Sequence, residues 1–518
     1  MPATLNYPGV YIEELPSGVH TITGVSTSIT AFVGSALSGP TDVATRIQSY
    51  EDYQRIFGAL DAASTLGYSV QHYFQHGGSD AYIVRVAGGG ALAATFEVPA
   101  ESGAPLKLAA TGPGAWADDL KIVVSYPDQA IASAADQAKF FTLAIGRVSE
   151  ADATKLQPLE TYVNLTVETP HPRNVISVLK DSALLRVESA GDKRPKATEA
   201  AKFIDVKANG NAGAEVTREQ ISAVELAAQR KGIYALDAVD LFNLLYLPPP
   251  PNGGDVDNDT LNDAAVYCAG RRALLIADLA RSVDTTAADK AIKVLHGVIS
   301  ANKANVAVYF PRLIMADPLQ QGRSAEFGVG GAVAGIMART DSQRGVWKAP
   351  AGLDAGLAGV RELQYKLDDN ANGVLNPLGL NCIRSFPVFG NVLWGARTLA
   401  GADTLASEWK YVPVRRFTLF IEESLYRGTQ WAVFEPNDEP LWSQIRLNLG
   451  AFMHNLFVQG AFQGASPHDA YFVKCDKETT PQNAIDLGIV NIVVGFAPLK
   501  PAEFVVIKIQ QIAGQIQV

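Results

Sequence analysis

Cysteine is scarce in this chain: Cys268, Cys382 and Cys475 are three in 518 residues, far apart and odd in number. That spacing excludes a disulfide framework and fits a reducing compartment, with buried thiols as the expected state. The start, Met1-Pro-Ala-Thr-Leu-Asn-Tyr-Pro-Gly9, has neither a basic nor an apolar leader region, so no secretory signal is expected. The most apolar window, 327–338, is about half of the ~20 residues that cross a bilayer. Positive charge is also short. With 43 Lys and Arg against 53 Asp and Glu, the net charge of −10 argues against a nucleic-acid partner. The phosphate loop Gly-x-x-x-x-Gly-Lys-Ser/Thr, the zinc-protease His-Glu-x-x-His and the nucleophile elbow Gly-x-Ser-x-Gly are all missing.

What is present suits a globular protein of two to four domains: 47% hydrophobic and 19% charged residues, with 45 glycines and 28 prolines marking many turns. Residues 1–20 read as an arm in which Pro2, Pro8 and Pro16 bracket one short strand over 10–15. A strand so short needs a partner sheet, either its own domain's or a neighbouring subunit's. Residues 21–94 read as strand (29–33), helix (65–76) and strand (80–86), with Leu66, Val70, Tyr73 and Phe74 on one helical stripe and Gly77 ending it. Over 95–230 aromatics thin out, and alternating runs at 120–125, 140–145 and 161–167 predict an inserted, β-rich surface module with a polar loop over 197–213.

From 231 to 379 the pattern is strand–helix alternation. Expected strands lie at 241–247, 273–277 and 306–310, and expected helices at 261–269, 288–299 and 325–339, followed by loops over 343–379. Such units build a parallel, helix-covered sheet. From 380 to 518 an α+β domain is expected: a strand over 392–399, helix over 417–434, and a second helix behind the cap Asn437-Asp-Glu-Pro440 that ends at Gly460. Two strand-like runs close the chain at 487–498 and 504–512. In the second, Val505, Ile507 and Ile509 share a face as in a half-buried strand. The fold class is therefore mixed α/β and multidomain: an arm (1–20), a sheet domain (21–94 with 231–379), an inserted module (95–230) and a C-terminal domain (380–518).

Three look-alikes of chemistry have plainer explanations. His72 and His76 are four apart on a helix, a zinc spacing, but no third ligand lies nearby. Gly328-Val-Gly-Gly-Ala-Val-Ala-Gly335 has its glycines at the wrong offsets for a dinucleotide loop, and close helix packing accounts for them. His296 sits inside an amphipathic helix, where a structural role is expected. No catalytic residue, metal site or cofactor is assigned.

The run Arg384-Ser-Phe-Pro-Val-Phe-Gly-Asn-Val-Leu-Trp-Gly-Ala-Arg-Thr-Leu399, then Trp409-Lys-Tyr-Val-Pro-Val-Arg-Arg-Phe417, the helix around 442–459 and the two closing runs resemble the C-terminal domain of contractile tail sheath proteins. Tyr7-Pro-Gly-Val-Tyr-Ile-Glu-Glu14, Gly24-Val-Ser-Thr-Ser-Ile-Thr-Ala-Phe-Val-Gly34, Trp347-Lys-Ala-Pro-Ala-Gly-Leu353 and Leu375-Asn-Pro-Leu-Gly379 resemble other parts of that family. Its sheet domain is called subtilisin-like for its fold, but nothing here resembles the Gly-Thr-Ser nucleophile loop of subtilases, and fold does not confer activity.

The resemblance implies a non-enzymatic subunit that stacks as rings in a six-stranded helical sheath around an inner tube. Baseplate and tail terminator or cap proteins would be further partners. It implies a virion or phage-tail-like particle assembled in a bacterial cytoplasm, with no nucleic-acid partner and no membrane insertion. Tyr7, Val10, Tyr11, Ile12 and Leu15 at one end, and Phe504, Val505, Ile507, Ile509 and Ile512 at the other, would pair with a neighbour's C-terminal sheet. Contraction would draw on surface buried between subunits. Residues 381–518 hold 11 Lys and Arg and 12 Asp and Glu, and so only −1 of the chain's −10. Within them Lys410, Arg415, Arg416 and Arg427 outnumber Glu422 and Glu423, which makes a solvated face or a surface docking on an acidic tube. The readings left open are a capsid- or adhesin-like assembly protein and an α/β hydrolase.

Overall fold

An inner strand of the sheet domain is the apolar run Thr30–Gly34, buried along its whole length, as a strand covered on both faces must be. The computed structural model describes residues 20–127, 138–251 and 253–508. The sheet strands are β1 (Thr30–Gly34), β2 (Thr45–Ile47), β3 (Ala81–Arg85), β4 (Leu244–Tyr246), β5 (Leu274–Asp278), β6 (Val306–Phe310), β7 (Leu380–Phe386) and β8 (Gly390–Leu393). Their order is β8-β7-β6-β5-β4-β1-β3-β2. The six inner strands are parallel, and the short outer strands β2 and β8 are antiparallel. Helices Asn258–Gly270 and Ala288–Val298 bury Ala264, Cys268, Ile292 and Leu295 in the core that also takes Ala31, Val33, Leu275 and Val308 from the sheet.

The glycine-rich segment is a packing device. A Cβ on Gly331 would lie 2.2 Å from the carbonyl oxygen of Ser69, in the helix Leu66–Gln75. The glycines let the helix Gly330–Arg344 approach that neighbour, as close helix packing predicts. This helix begins five residues later than the expected 325. Arg323–Phe327 is instead a strand that pairs antiparallel with Leu313–Asp317. The expected loops over 343–379 hold a third strand of that small sheet, Val360–Leu363, and a helix, Asp369–Leu375.

The segment after β3 is β-rich and has a core of its own built on Phe96, Leu108, Ile122, Phe141 and Leu143. Two three-stranded antiparallel sheets make it up: Thr95–Val98, Leu106–Ala110 and Leu185–Ser189 in one, Lys121–Ser125, Phe141–Val148 and Leu156–Leu165 in the other. Ile221 already belongs to the core of the large sheet, so the module ends before residue 221.

The expected boundary at 380 is corrected. β7 runs parallel to β6, through Val308–Leu380 and Phe310–Cys382, and β8 folds back on it, so both strands complete the large sheet. The compact units are 28–339 with 350–410, and 1–27 with 340–349 and 411–518. The expected strand over 392–399 ends at Leu393, and β7 lies just before it. All three cysteines are free and buried. Burial raises the Cys382 and Cys475 thiols, to about 12 and about 11.

Candidate assembly interface

The C-terminal unit is organised by two helices. Pro413 opens Val412–Gly428, and Asp438 with Pro440 opens Glu439–Val458, where proline's missing N–H costs nothing. The second helix buries Leu441, Ile445, Leu449, Phe452 and Leu456, the face expected from their spacing. Gly460, at φ +77°, follows it. Phe417, Ile421, Phe462 and Trp442 join this core.

Against it lies a sheet of only two strands, Tyr471–Lys474 antiparallel to Val493–Phe496, paired over four residues. Among the described residues neither outer edge carries a further strand. Phe472 and Val493 are about half exposed, at 50% and 45%. A pair so short is marginal alone, and its open N–H and C=O rows are templates for added strands.

The chain supplies candidate strands at its ends. The Tyr411 hydroxyl donates to Glu503 Oε2 at 3.2 Å. Beyond Glu503, Phe504, Val505, Val506 and Ile507 are 74–81% exposed and belong to no strand. Over 504–507 the expected half-buried strand is therefore not formed among the described residues: both faces meet solvent, with no described strand paired to them. Ile509 and Ile512, with the arm residues Tyr7, Val10, Tyr11, Ile12 and Leu15, fall outside the described residues.

The basic stretch needs correction. Arg416 is 4% exposed and donates to both oxygens of Asp341, at 2.9 and 2.5 Å, and to the carbonyl of Thr27 at 2.9 Å. It is an internal tie and cannot dock a partner. The other three keep some exposure, but each has a carboxylate: Lys410 with Asp403 at 2.7 Å, Arg415 with Glu422 at 3.5 Å, Arg427 with Glu423 at 2.8 Å. Burial lowers the Arg415 guanidinium's pKa. The excess of cations over 409–427 is offset by Asp341 and Asp403, acids that lie outside that window.

The remaining look-alikes are spent in the fold. His76 Nδ1 bonds the His72 carbonyl at 2.7 Å, and its Nε2 accepts from the Ala358 N–H at 3.0 Å. Burial holds His72 down to about 3. His296 Nε2 bonds the Leu378 carbonyl at 2.8 Å. Among the described residues no cluster of His, Cys, Asp and Glu fits a metal, and no helix is long and apolar enough to cross a membrane.

Sequence reasoning missed the strand Tyr471–Lys474, whose signal was the aromatic and β-branched run Tyr-Phe-Val behind the Ser466 cap. It also missed two apolar tips. Val388 is 99% exposed at φ +75°, and Phe434 fully exposed at φ +71°. A β-branched or aromatic residue gains nothing for its own fold in such a place.

Residues 405–512 match the family model of the phage tail sheath C-terminal domain. A tail sheath protein of Vibrio phage KVP40 is 29% identical over 174 residues, which is 33% of this chain and 24% of that protein. A protein described as a prophage major tail sheath protein of Pseudomonas aeruginosa strain UCBPP-PA14 is 28% identical over 226 residues, 41% of this chain and 56% of that one. The chain thus spans about a quarter and about half of these two curated relatives. Among solved structures, the PVC sheath complex of an extracellular contractile injection system, in the contracted state, aligns with 98% of each chain at 23% identity and a TM-score of 0.59. The contracted helical sheath of the anti-feeding prophage aligns with 98% of this chain and all of that one, at 23% identity and a TM-score of 0.58. The mixed α/β fold is therefore shared with sheath proteins over nearly the full length.

Proposed function

We propose that this chain is a structural subunit of a contractile sheath, polymerising around an inner tube and contracting to drive that tube through a target envelope. The observation that carries the reading is the two-stranded sheet with open edges in the same unit as an unpaired apolar tail. One chain has a sheet short of strands and a strand short of a sheet, and a second copy supplies each need. Burying the four side chains of 504–507 would contribute on the order of 6–12 kcal/mol before association entropy is subtracted. The matched C-terminal domain and the shared fold support the same reading.

Residues 7–15 and 504–512 would be the donated strands, laid on the edges of Tyr471–Lys474 and Val493–Phe496 of neighbouring copies. Lys410, Arg415 and Arg427 stay candidates for tube contact; Arg416 does not. Baseplate and terminator proteins would cap the polymer, within a phage or phage-tail-like particle assembled in the bacterial cytoplasm. The work would come from surface buried between subunits, so no catalytic group or nucleotide is assigned.

Electron microscopy of the purified protein tests this. The full chain should form ribbed tubes, and a variant lacking 1–15 should remain a folded monomer. Normal sheaths from the truncated chain would remove the donated arm from the proposal.

A further inference from the structure

Residues 20–27 run along one helix of the C-terminal unit. The His20 ring stacks on Trp431 at 4.2 Å. Ile22 is buried, and a Cβ on Gly428 would stand 2.7 Å from it. A Cβ on Gly24 would stand 2.9 Å from the Phe420 ring. The Val25 N–H donates to Ser424 Oγ at 3.2 Å, and Thr27 Oγ1 donates to Asp341 Oδ2 at 2.7 Å. The Thr27 carbonyl accepts from Arg416.

The helix partners are Arg416, Phe420, Ser424 and Gly428, every fourth residue and therefore one stripe, with Trp431 just past the helix end. The lengths agree. Twelve helical residues from 416 to 428 rise about 18 Å. The five steps from 27 to 22, fully extended, reach about 17 Å. The segment is a strap laid antiparallel along the helix, with glycine on each side where backbone and ring must approach.

We infer that this strap is the anchor of the N-terminal arm. Arg416, Asp341 and Gly428 act as positioning residues that fix where residues 1–19 begin, and the buried ion pair is the root that holds when the arm is loaded. The inference rests on the arm reading above and deepens it. Contacts near the arm are light: a ring stack, one apolar side chain, one hydrogen bond. The charged tie lies at the far end, so a pulled arm meets its firmest hold last.

The test uses the full chain before polymerisation. Gly428→Val drives a side chain into Ile22, and the double variant Gly428→Val with Ile22→Ala makes room again. Amide exchange over 20–27 should accelerate at least tenfold in the single variant and return toward the parent rate in the double. Sheath yield should fall and recover in parallel. Ser424→Ala, a milder change, should speed exchange at Val25 about five- to tenfold, the loss of one ordinary hydrogen bond. Unchanged exchange in both Gly428→Val and Ser424→Ala would overturn the seating, and accelerated exchange with undiminished assembly would overturn the positioning role. The arm reading fails on a different result, normal sheaths from the chain lacking 1–15.

Discussion

Asp341→Asn keeps the shape of the side chain and removes its charge from beside Arg416. In the native unit the two side chains are 3% and 4% exposed, so water cannot take over the solvation of the guanidinium. The Thr27 carbonyl remains as one acceptor, but the bidentate carboxylate is gone. Breaking a buried pair from one side costs about 3–5 kcal/mol, because a charge is left without compensation. Replacing both partners, as in Arg416→Met with Asp341→Leu, should recover most of that loss, since burying two charges was itself expensive. The assay is urea unfolding followed by tryptophan fluorescence. Trp347, Trp431 and Trp442 lie in the unit that holds the pair and are three of the chain's six tryptophans. A loss below about 1 kcal/mol for Asp341→Asn would mean that the site is hydrated and the pair ordinary. That result would also restore Arg416 as a candidate for surface contact.

Acid sensitivity follows from His72. Burial lowers it from 6.5 to about 3, so between these values the unfolded chain binds a proton that the folded chain does not. Stability therefore rises with pH across this window and is lost as pH falls through it, by about 1.4 kcal/mol per pH unit for one such group. His76 is lowered by burial as well and acts in the same direction. Denaturation midpoints between pH 7.5 and 5 should show the slope, and His72→Phe should flatten it by roughly one proton; an identical slope would assign the effect elsewhere. Val388→Asn should stabilise the chain by about 1 kcal/mol, because asparagine accepts a left-handed backbone more readily and the exposed valine loses no packing. A lower melting temperature would show that the strain at this tip has been misjudged.

The parts legible in the sequence were those with a period. β6 lies on its expected bounds, Val306–Phe310, because five buried apolar residues between a helix end and a proline leave little choice. The stripe of the helix Glu439–Val458 and the proline in its first turn were equally plain, although Asp438 makes no side-chain capping bond there. Arg323–Phe327 was not, since a five-residue strand beside a run of small residues carries too little signal to beat the helix that follows it. β7 was missed because a strand whose partner lies 72 residues back, Val308 to Leu380, is fixed by the sheet rather than by its own sequence. The candidate site divides in the same way. The tail's apolar run could be read directly, whereas the fate of Arg416 depended on Asp341, 75 residues away.

The large sheet ends in β2 and β8, three and four residues long and antiparallel to the strands they cover. Such blunt borders offer a newcomer little to grip. The two-stranded sheet of Tyr471–Lys474 and Val493–Phe496 has no such guard among the described residues. In a crowded preparation, then, the large sheet is a poor seed for stray β-joining between copies, and the same asymmetry leaves the C-terminal pair, in one unit with its apolar tail, as a seam for ordered growth.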